Sequence, residues 1–272
     1  MIPATILENG VKMPVIGLGT WQLTGQKCTD TLKKALNLGY THIDTAEIYG
    51  NQKDIGRAIK GYPRDKLFIT SKVWRDNLHY DDVLSACKNT LNDLGVDYLD
   101  LYLIHWPNHN IPLMGTLDAL RKLYNEGKVR AIGVSNFTIR HLQDTIKITQ
   151  IPICVNQVEF HPLLYQKDLL NFCENYNIKI TAYSPLAKSE VFDNPLLKKI
   201  GRKYKKTAGQ ISLRWLLQKG TIVIPKASSE KHLKENLDVF DFELNKEDVK
   251  LIDNLNINKR LVNPVFSEFN YI

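Results

Sequence analysis

Four side chains near the ends of apolar runs carry the first chemical signal. Asp44 closes the run Thr41–Asp44, Lys72 lies at the end of Leu67–Val73, and His105 closes Tyr98–His105. Tyr49 follows Asp44 by five residues. The separations, 28 residues from Asp44 to Lys72 and 33 from Lys72 to His105, each match one strand plus one helix. Successive parallel strands would therefore bring all of them to one mouth of a barrel. A carboxylate, an ammonium, a phenol and an imidazole grouped there can deliver a proton to a carbonyl oxygen. A tyrosine titrates near pH 10. An adjacent ammonium favours the phenolate and lowers that value, which eases donation at neutral pH. Asp44 would keep Lys72 charged and oriented, and His105 would donate to the same oxygen. Taken singly, each has an ordinary role: a helix cap, rim packing, a solvated strand end, a hydrogen-bonded core histidine. Their shared register gives them weight as a set.

The elements that must position them are legible as alternating patterns. Aliphatic runs at Ile16–Leu18, Thr41–Asp44, Leu67–Val73, Tyr98–His105, Ala131–Val134, Ile153–Val158, Ile180–Tyr183 and Thr221–Ile224 read as strands. Amphipathic stretches between them, such as Thr29–Leu38, Asp81–Leu94, Leu117–Glu126 and Lys167–Tyr176, read as helices. Val83, Leu84, Cys87, Leu91 and Leu94 share one face of the second of these. Gly39, Gly95, Gly127 and Gly220 follow helical runs, where a left-handed cap suits glycine. Eight βα units in 272 residues predict a (β/α)8 TIM barrel, one domain spanning residues 1–272. An open doubly wound sheet is the alternative. Its dinucleotide fingerprint fails, because Gly17-Leu18-Gly19-Thr20-Trp21-Gln22 places Gln at the third glycine position. Ahead of the first barrel strand, Thr5-Ile6-Leu7 and Val11-Lys12-Met13 flank Glu8-Asn9-Gly10. They read as a hairpin that caps the N-terminal mouth.

Composition excludes several classes. The chain is 43% hydrophobic and 24% charged, which is ordinary globular usage rather than a disordered, coiled-coil or collagenous chain. Cys28, Cys87, Cys154 and Cys173 form no framework and read as reduced, buried thiols. No signal peptide or membrane-length apolar run is visible, so a cytoplasmic protein is expected. The net charge of +7 is uneven: residues 188–234 hold twelve lysines and arginines against three acids. Nucleic acid, solvated helix faces and an anionic small ligand each account for that excess.

The ordered motifs settle the choice by resemblance. Gly17-Leu18-Gly19-Thr20-Trp21, Ile43-Asp44-Thr45-Ala46 before Tyr49-Gly50, Thr70-Ser71-Lys72-Val73-Trp74 and Leu103-Ile104-His105-Trp106-Pro107 come first. Ile132-Gly133-Val134-Ser135-Asn136-Phe137, Asn156-Gln157-Val158-Glu159-Phe160-His161-Pro162, Ala182-Tyr183-Ser184-Pro185-Leu186 and Ile224-Pro225-Lys226 follow. In order and spacing the whole chain resembles an aldo-keto reductase, most of all the small prokaryotic members such as diketogluconate reductases. The resemblance implies NAD(P)H-dependent reduction of aldehydes and ketones, with Tyr49 as general acid and Asp44, Lys72 and His105 beside it. Relatives that reduce steroid carbon–carbon double bonds carry glutamate in the fourth place, so His105 implies carbonyl chemistry. A noncatalytic cofactor sensor or partner subunit on the same fold is the alternative, and the intact quartet argues against it.

By the same resemblance Ser135, Asn136 and Gln157 would hold the carboxamide, and Tyr183 would stack on the nicotinamide. Ser184 and Leu186 would meet the pyrophosphate, while Lys226, Ser228, His232, Glu235 and Asn236 would surround the adenosine end. Two departures stand out: Ala227 replaces a frequent serine and His232 a frequent arginine. Histidine is largely neutral at pH 7, unlike arginine. NADPH is therefore expected through Lys226 and Lys231, with a reduced margin over NADH. Trp21, Trp74 and Trp106 would wall the substrate pocket, with Phe266, Phe269 and Tyr271 as a lid. The short segment Asn108–Gly115 would leave that pocket open to small aldehydes, dicarbonyls or keto-sugars. No metal is expected: His105 and His109 are separated by Trp106-Pro107, no carboxylate or cysteine completes a set, and His42, His79, His141 and His161 show no convergent pattern. The expected partner is a small carbonyl compound, with no nucleic acid and no membrane, and the chain is expected to be a monomer.

Overall fold

A computed structural model describes residues 2–271. The chain opens with a hairpin of β1 (Ala4–Ile6) and β2 (Lys12–Pro14), paired antiparallel. Eight parallel strands follow: β3 (Leu18–Gly19), β4 (His42–Asp44), β5 (Phe68–Val73), β6 (Leu101–Ile104), β7 (Ile132–Ser135), β8 (Ile153–Glu159), β9 (Lys179–Tyr183) and β10 (Ile222–Val223). Each pairs with its neighbour in sequence. A parallel bridge between Ile16 and Val223 joins the last strand to the first. There the Gly17 N–H donates to the Val223 carbonyl and the Val223 N–H to the Val15 carbonyl, each at 2.9 Å. The sheet is thus the closed (β/α)8 barrel that strict strand–helix alternation predicts.

Helices α1 (Gly25–Asn37), α2 (Gln52–Ile59), α3 (Tyr80–Leu94), α4 (Leu113–Asn125), α5 (Ile139–Ile148) and α6 (Lys167–Asn175) each cover one strand-to-strand crossover. α7 (Pro195–Tyr204) and α8 (Ala208–Gln218) share the crossover from β9 to β10, and α9 (Glu230–Leu237) and α10 (Lys246–Asp253) follow β10. The helices form because apolar residues recur at near-helical spacing and bury one stripe against the strands. In α3 that stripe includes Val83, Cys87, Leu91 and Leu94. The turn after it uses Gly95 at φ 66°, a left-handed position that relieves the carbonyls at the helix end. No helix among the described residues is long and apolar enough to cross a membrane.

The hairpin plugs the N-terminal mouth as expected. Its Leu7 and Met13 are buried in one cluster with Phe68, Leu101, Leu103, Ala131, Cys154, Val155 and Ile222. These fill the barrel interior below the strand ends, so the opposite mouth alone is left for polar groups. Above this layer His42 is fully buried, with Nε2 at 3.2 Å from Thr70 Oγ1. Burial drives its pKa down to about 4, so it is a neutral packing element at physiological pH. All four cysteines are buried free thiols.

Candidate active site

Asp44 ends β4, Lys72 is the penultimate residue of β5, and His105 follows β6 directly. Parallel register carries them to one mouth: Asp44 pairs with Thr70, Lys72 with Leu103, and the His105 N–H donates to the Val73 carbonyl at 3.0 Å. Lys72 is fully buried and Asp44 is 2% exposed. The ammonium donates to Asp44 Oδ1 at 2.6 Å and to the Thr45 carbonyl at 2.8 Å, and it lies 3.5 Å from the Tyr49 hydroxyl. Such a pair survives burial because both charges are hydrogen-bonded and mutually compensated. Tyr49 ends a short 3-10 turn, Glu47–Tyr49, closed by Gly50 at φ 64°. Its ring lies 5.7 Å from the His105 ring and 4.8 Å from that of Trp21.

The electrostatics differ from the sequence expectation at Tyr49. Burial pushes the phenol well above its usual pKa, and the Asp44 carboxylate adds to the rise. Lys72 does not reverse this, because Asp44 neutralises most of its field and the contact is long. Lys72 itself is lowered by burial, with Asp44 opposing. Burial also holds His105 well below its usual value, and Lys72 pushes the same way. At neutral pH the mouth therefore presents a protonated phenol and a neutral imidazole, both able to donate a hydrogen bond.

Two residues that the sequence does not single out tie down the segment that carries Tyr49. Asn51 is fully buried; its amide donates to the Thr20 and Leu23 carbonyls at 2.9 and 2.8 Å and accepts from Thr45 Oγ1 at 2.8 Å. Glu47 accepts the Trp74 N–H at 2.8 Å and also binds the Asn77 amide, tying the Tyr49 turn to the exit of β5. An Asn beside a turn glycine is the sole local signal for the first, and the second has none.

The expected cofactor residues divide into groups. Ser135 ends β7, Asn136 follows at φ 64°, and Gln157 is in β8. Gln157 Nε2 donates to Asp44 Oδ2 at 2.7 Å, linking this group to the buried pair. Ser135 donates to the Gln157 carbonyl at 2.8 Å, and Asn136 accepts from the Tyr183 hydroxyl at 2.8 Å. Beyond Tyr183, Ser184, Ala187, Lys188 and Ser189 all have positive φ. Within this run, which includes Leu186, the Ala187 N–H donates to the Ser184 carbonyl at 2.8 Å and the Ser189 N–H to the Leu186 carbonyl at 2.9 Å. Lys226 is exposed after β10 and reaches Gln22 Oε1 at 3.0 Å, bridging the loops after β10 and β3. Ser228 and His232 are exposed beside it, at the start of α9. Asn236 is buried beside Tyr40, and Glu235 pairs with Lys231 at 3.9 Å. Amide and hydroxyl groups at one end, an aromatic face and an exposed lysine at the other end suit a nicotinamide dinucleotide.

The basic window resolves in part into ion pairs. Lys203 binds Asp248, Lys206 binds Asp238 and Asp241, and Lys219 binds Asp253. These acids lie downstream of the window and offset part of its charge excess in space.

The three tryptophans have unequal positions. Trp21 is 49% exposed at the rim and Trp74 lies 5.4 Å from His105. Trp106 is buried under the C-terminal segment, 5.5 Å from Phe266 and 5.6 Å from Phe269. That segment covers part of the mouth, Phe266 also meeting Trp74 at 5.6 Å. Its root is held by Glu159, a buried carboxylate accepting the Leu261 and Val262 N–H groups at 2.8 and 2.9 Å and contacting His161 Nε2 at 2.8 Å. His109 does not pair with His105; it packs with His141, Glu268 and Tyr271.

Comparison with known proteins agrees with this geometry. A sequence profile of the aldo/keto reductase family matches residues 15–257. A glyoxal reductase of Bacillus subtilis is 47% identical over 258 residues, covering 94% of this chain and 93% of the relative. An aldo-keto reductase from a Medee basin deep-sea metagenome library superposes with a TM-score of 0.93 at 42% identity, over 95% of this chain and 97% of the other. A Bombyx mori aldo-keto reductase in complex with NADP superposes with a TM-score of 0.91 at 32% identity, over 97% and 95% of the two chains.

Proposed function

The chain belongs to the aldo/keto reductase family, and we propose that it reduces small aldehydes and ketones to alcohols with Tyr49 as the proton donor. The observation that carries this reading is the buried Lys72–Asp44 pair set 3.5 Å behind the Tyr49 hydroxyl, with His105 beside it. Ser135, Asn136, Gln157 and Tyr183 would hold a nicotinamide, the loop from Ser184 with Leu186 its pyrophosphate, and Lys226 with Ser228 and His232 its adenosine end. When bound, the reduced nicotinamide supplies the hydride that the carbonyl carbon takes.

As the carbon accepts that hydride, its oxygen becomes an alkoxide, far more basic than a phenolate. Tyr49 gives it the hydroxyl proton, and the alcohol is formed. The phenol is fully protonated at pH 7, as any tyrosine titrating at or above about pH 10 is, and the alkoxide is basic enough to draw the proton from it. Lys72 then stabilises the phenolate left behind, and Asp44 keeps the ammonium charged and aimed. Neutral His105 donates a second hydrogen bond that orients the carbonyl oxygen. Trp21 and Trp74 flank the approach, and Trp106 supports it from beneath Phe266 and Phe269.

Lys226, exposed after β10, would meet a 2′-phosphate, which would favour NADPH. Exposed His232 supplies no permanent charge there, and Lys231 is shared with Glu235. The NADPH preference is accordingly modest, with NADH also used. The glyoxal reductase relative directs attention to dicarbonyls as substrates. The test is a panel of aldehydes, dicarbonyls and keto-sugars assayed with NADPH and with NADH by loss of reduced-nicotinamide absorbance. Turnover of at least one small carbonyl is expected; no oxidation of either cofactor across the panel would contradict the proposal.

A further inference from the structure

One cluster outside this machinery has ligand chemistry and no part in the reaction. His109 lies in the loop after β6, His141 in the first turn of α5, and Glu268 in the C-terminal segment. Their potential ligand atoms all lie within 4.8 Å of one another. Glu268 Oε2 meets His109 Nδ1 and lies 3.1 Å from His141 Nε2. Its other oxygen accepts the His109 backbone N–H at 3.1 Å. We propose that His109, His141 and Glu268 form a site for a divalent transition metal, Zn2+ foremost, that fastens the C-terminal segment to the barrel mouth.

Two imidazoles and a carboxylate form a three-ligand set that leaves a fourth position for water. Zinc bonds of 2.0–2.2 Å in a tetrahedron put ligand atoms about 3.4 Å apart. The Glu268–His141 contact at 3.1 Å is already near that spacing. The widest separation, at most 4.8 Å, must close by up to about 1.4 Å. His109 is the ligand free to move, since its side chain is 47% exposed against 6% for His141 and 18% for Glu268. Access from solvent is on its side, while the Tyr271 ring covers the other, 4.3 and 4.6 Å from the two imidazoles.

The outer support of the site is also present. A metal-bound imidazole donates its second ring N–H to a neighbour, and Thr138 Oγ1 lies 2.9 Å from His141 Nδ1. Without metal the Thr138 N–H points at that nitrogen at 3.2 Å, so the ring proton sits on Nε2 and is donated to Glu268. Metal entry at Nε2 puts the proton on Nδ1, where Thr138 Oγ1 accepts it; the Thr138 N–H then loses its acceptor, so the capping turn must shift as the ion binds. Nitrogen ligands disfavour Ca2+ and Mg2+, which take oxygen, and favour Zn2+, Ni2+ and Cu2+. Phe266 and Phe269 flank Glu268 in sequence, so a bound ion would fix the aromatic cover over Trp74 and Trp106.

The test needs no turnover and is independent of the reductase reading. Full-length protein freed of metal by a chelator is titrated with Zn2+ by calorimetry and with Co2+ by visible absorption, alongside His109→Ala and Glu268→Gln. One Zn2+ per chain and a four-coordinate Co2+ spectrum are expected. Each variant should lose more affinity than the about 10- to 100-fold that removal of an outer-shell partner causes. Circular dichroism checks that both variants are folded, and the glutamine variant keeps the segment's shape if the alanine variant does not fold. No saturable one-to-one binding would overturn the proposal, as would equal affinity in the wild type and a folded variant.

Discussion

Replacing Asp44 with asparagine removes one charge and one acceptor from the centre of the mouth while keeping its shape. Both carboxylate oxygens are used, Oδ1 by Lys72 at 2.6 Å and Oδ2 by Gln157 at 2.7 Å. An amide has one accepting and one donating end. With its oxygen toward Lys72, its NH2 group faces the Gln157 NH2 group, and Gln157 must turn over. Gln157 Oε1 is then drawn inward, away from the cofactor. Removing one partner of a buried pair costs about 3–5 kcal/mol. The new amide retains a bond to Lys72, and burial already lowers the lysine's pKa, so the low end, about 3 kcal/mol, is expected. At about 2–4 °C per kcal/mol for a chain near this size, the Tm falls by about 6–12 °C. The lost Gln157 contact weakens cofactor binding about tenfold, the worth of one hydrogen bond. Thermal unfolding and fluorescence titration with NADPH measure both. A variant within about 1 kcal/mol of wild type with unchanged cofactor affinity would rule out Asp44 as the shared anchor of Lys72 and Gln157.

The barrel seam is probed by Gly19→Ala, whose added Cβ would lie 2.6 Å from the Ile224 carbonyl oxygen. Urea unfolding should show a loss of about 1–3 kcal/mol, and a neutral result would contradict the seam as described. His42 has a folded pKa of about 4 against 6.5 for the free side chain. The unfolded chain thus binds the extra proton first, and this contribution falls as the pH drops from about 6.5 to about 4. It amounts to about 3 kcal/mol at about 1.4 kcal/mol per pH unit; His42→Gln should flatten that part of the stability profile, and an unchanged slope would remove His42 as its source. Lys226→Met should raise the KM for NADPH about tenfold and leave that for NADH alone. Equal effects on both would contradict the phosphate assignment, and a wild-type preference above about four orders of magnitude, roughly 5.5 kcal/mol, would contradict the modest margin.

The barrel was legible because each strand is an apolar run between amphipathic stretches, and the expected strands fall within a few residues of those observed. The short end strands were less so: the expected Ile16–Leu18 is observed as Leu18–Gly19, with Ile16 making an isolated bridge to Val223. The quartet was legible because Asp44, Lys72 and His105 each break an apolar pattern at a strand end. The direction of the Tyr49 shift was not, because it depends on burial and on how far Asp44 cancels Lys72. Asn51, Glu47 and Glu159 escaped notice because their partners are set by loop geometry. His141 and Glu268 are 127 residues apart, and no local pattern can join them. Lys203 and Lys219 read as unbalanced charge for the same reason, since Asp248 and Asp253 reach them only in the folded chain.

Tyr49→Phe isolates the proton-donating role of Tyr49, because it deletes one hydroxyl and leaves the Lys72–Asp44 pair and the cofactor contacts in place. Turnover of an aldehyde and NADPH binding should be measured on the same preparation. The kcat should fall by about 10²- to 10⁴-fold, the usual worth of a general acid, with the cofactor Kd unchanged. A variant that reduces the aldehyde at the wild-type rate would contradict that role.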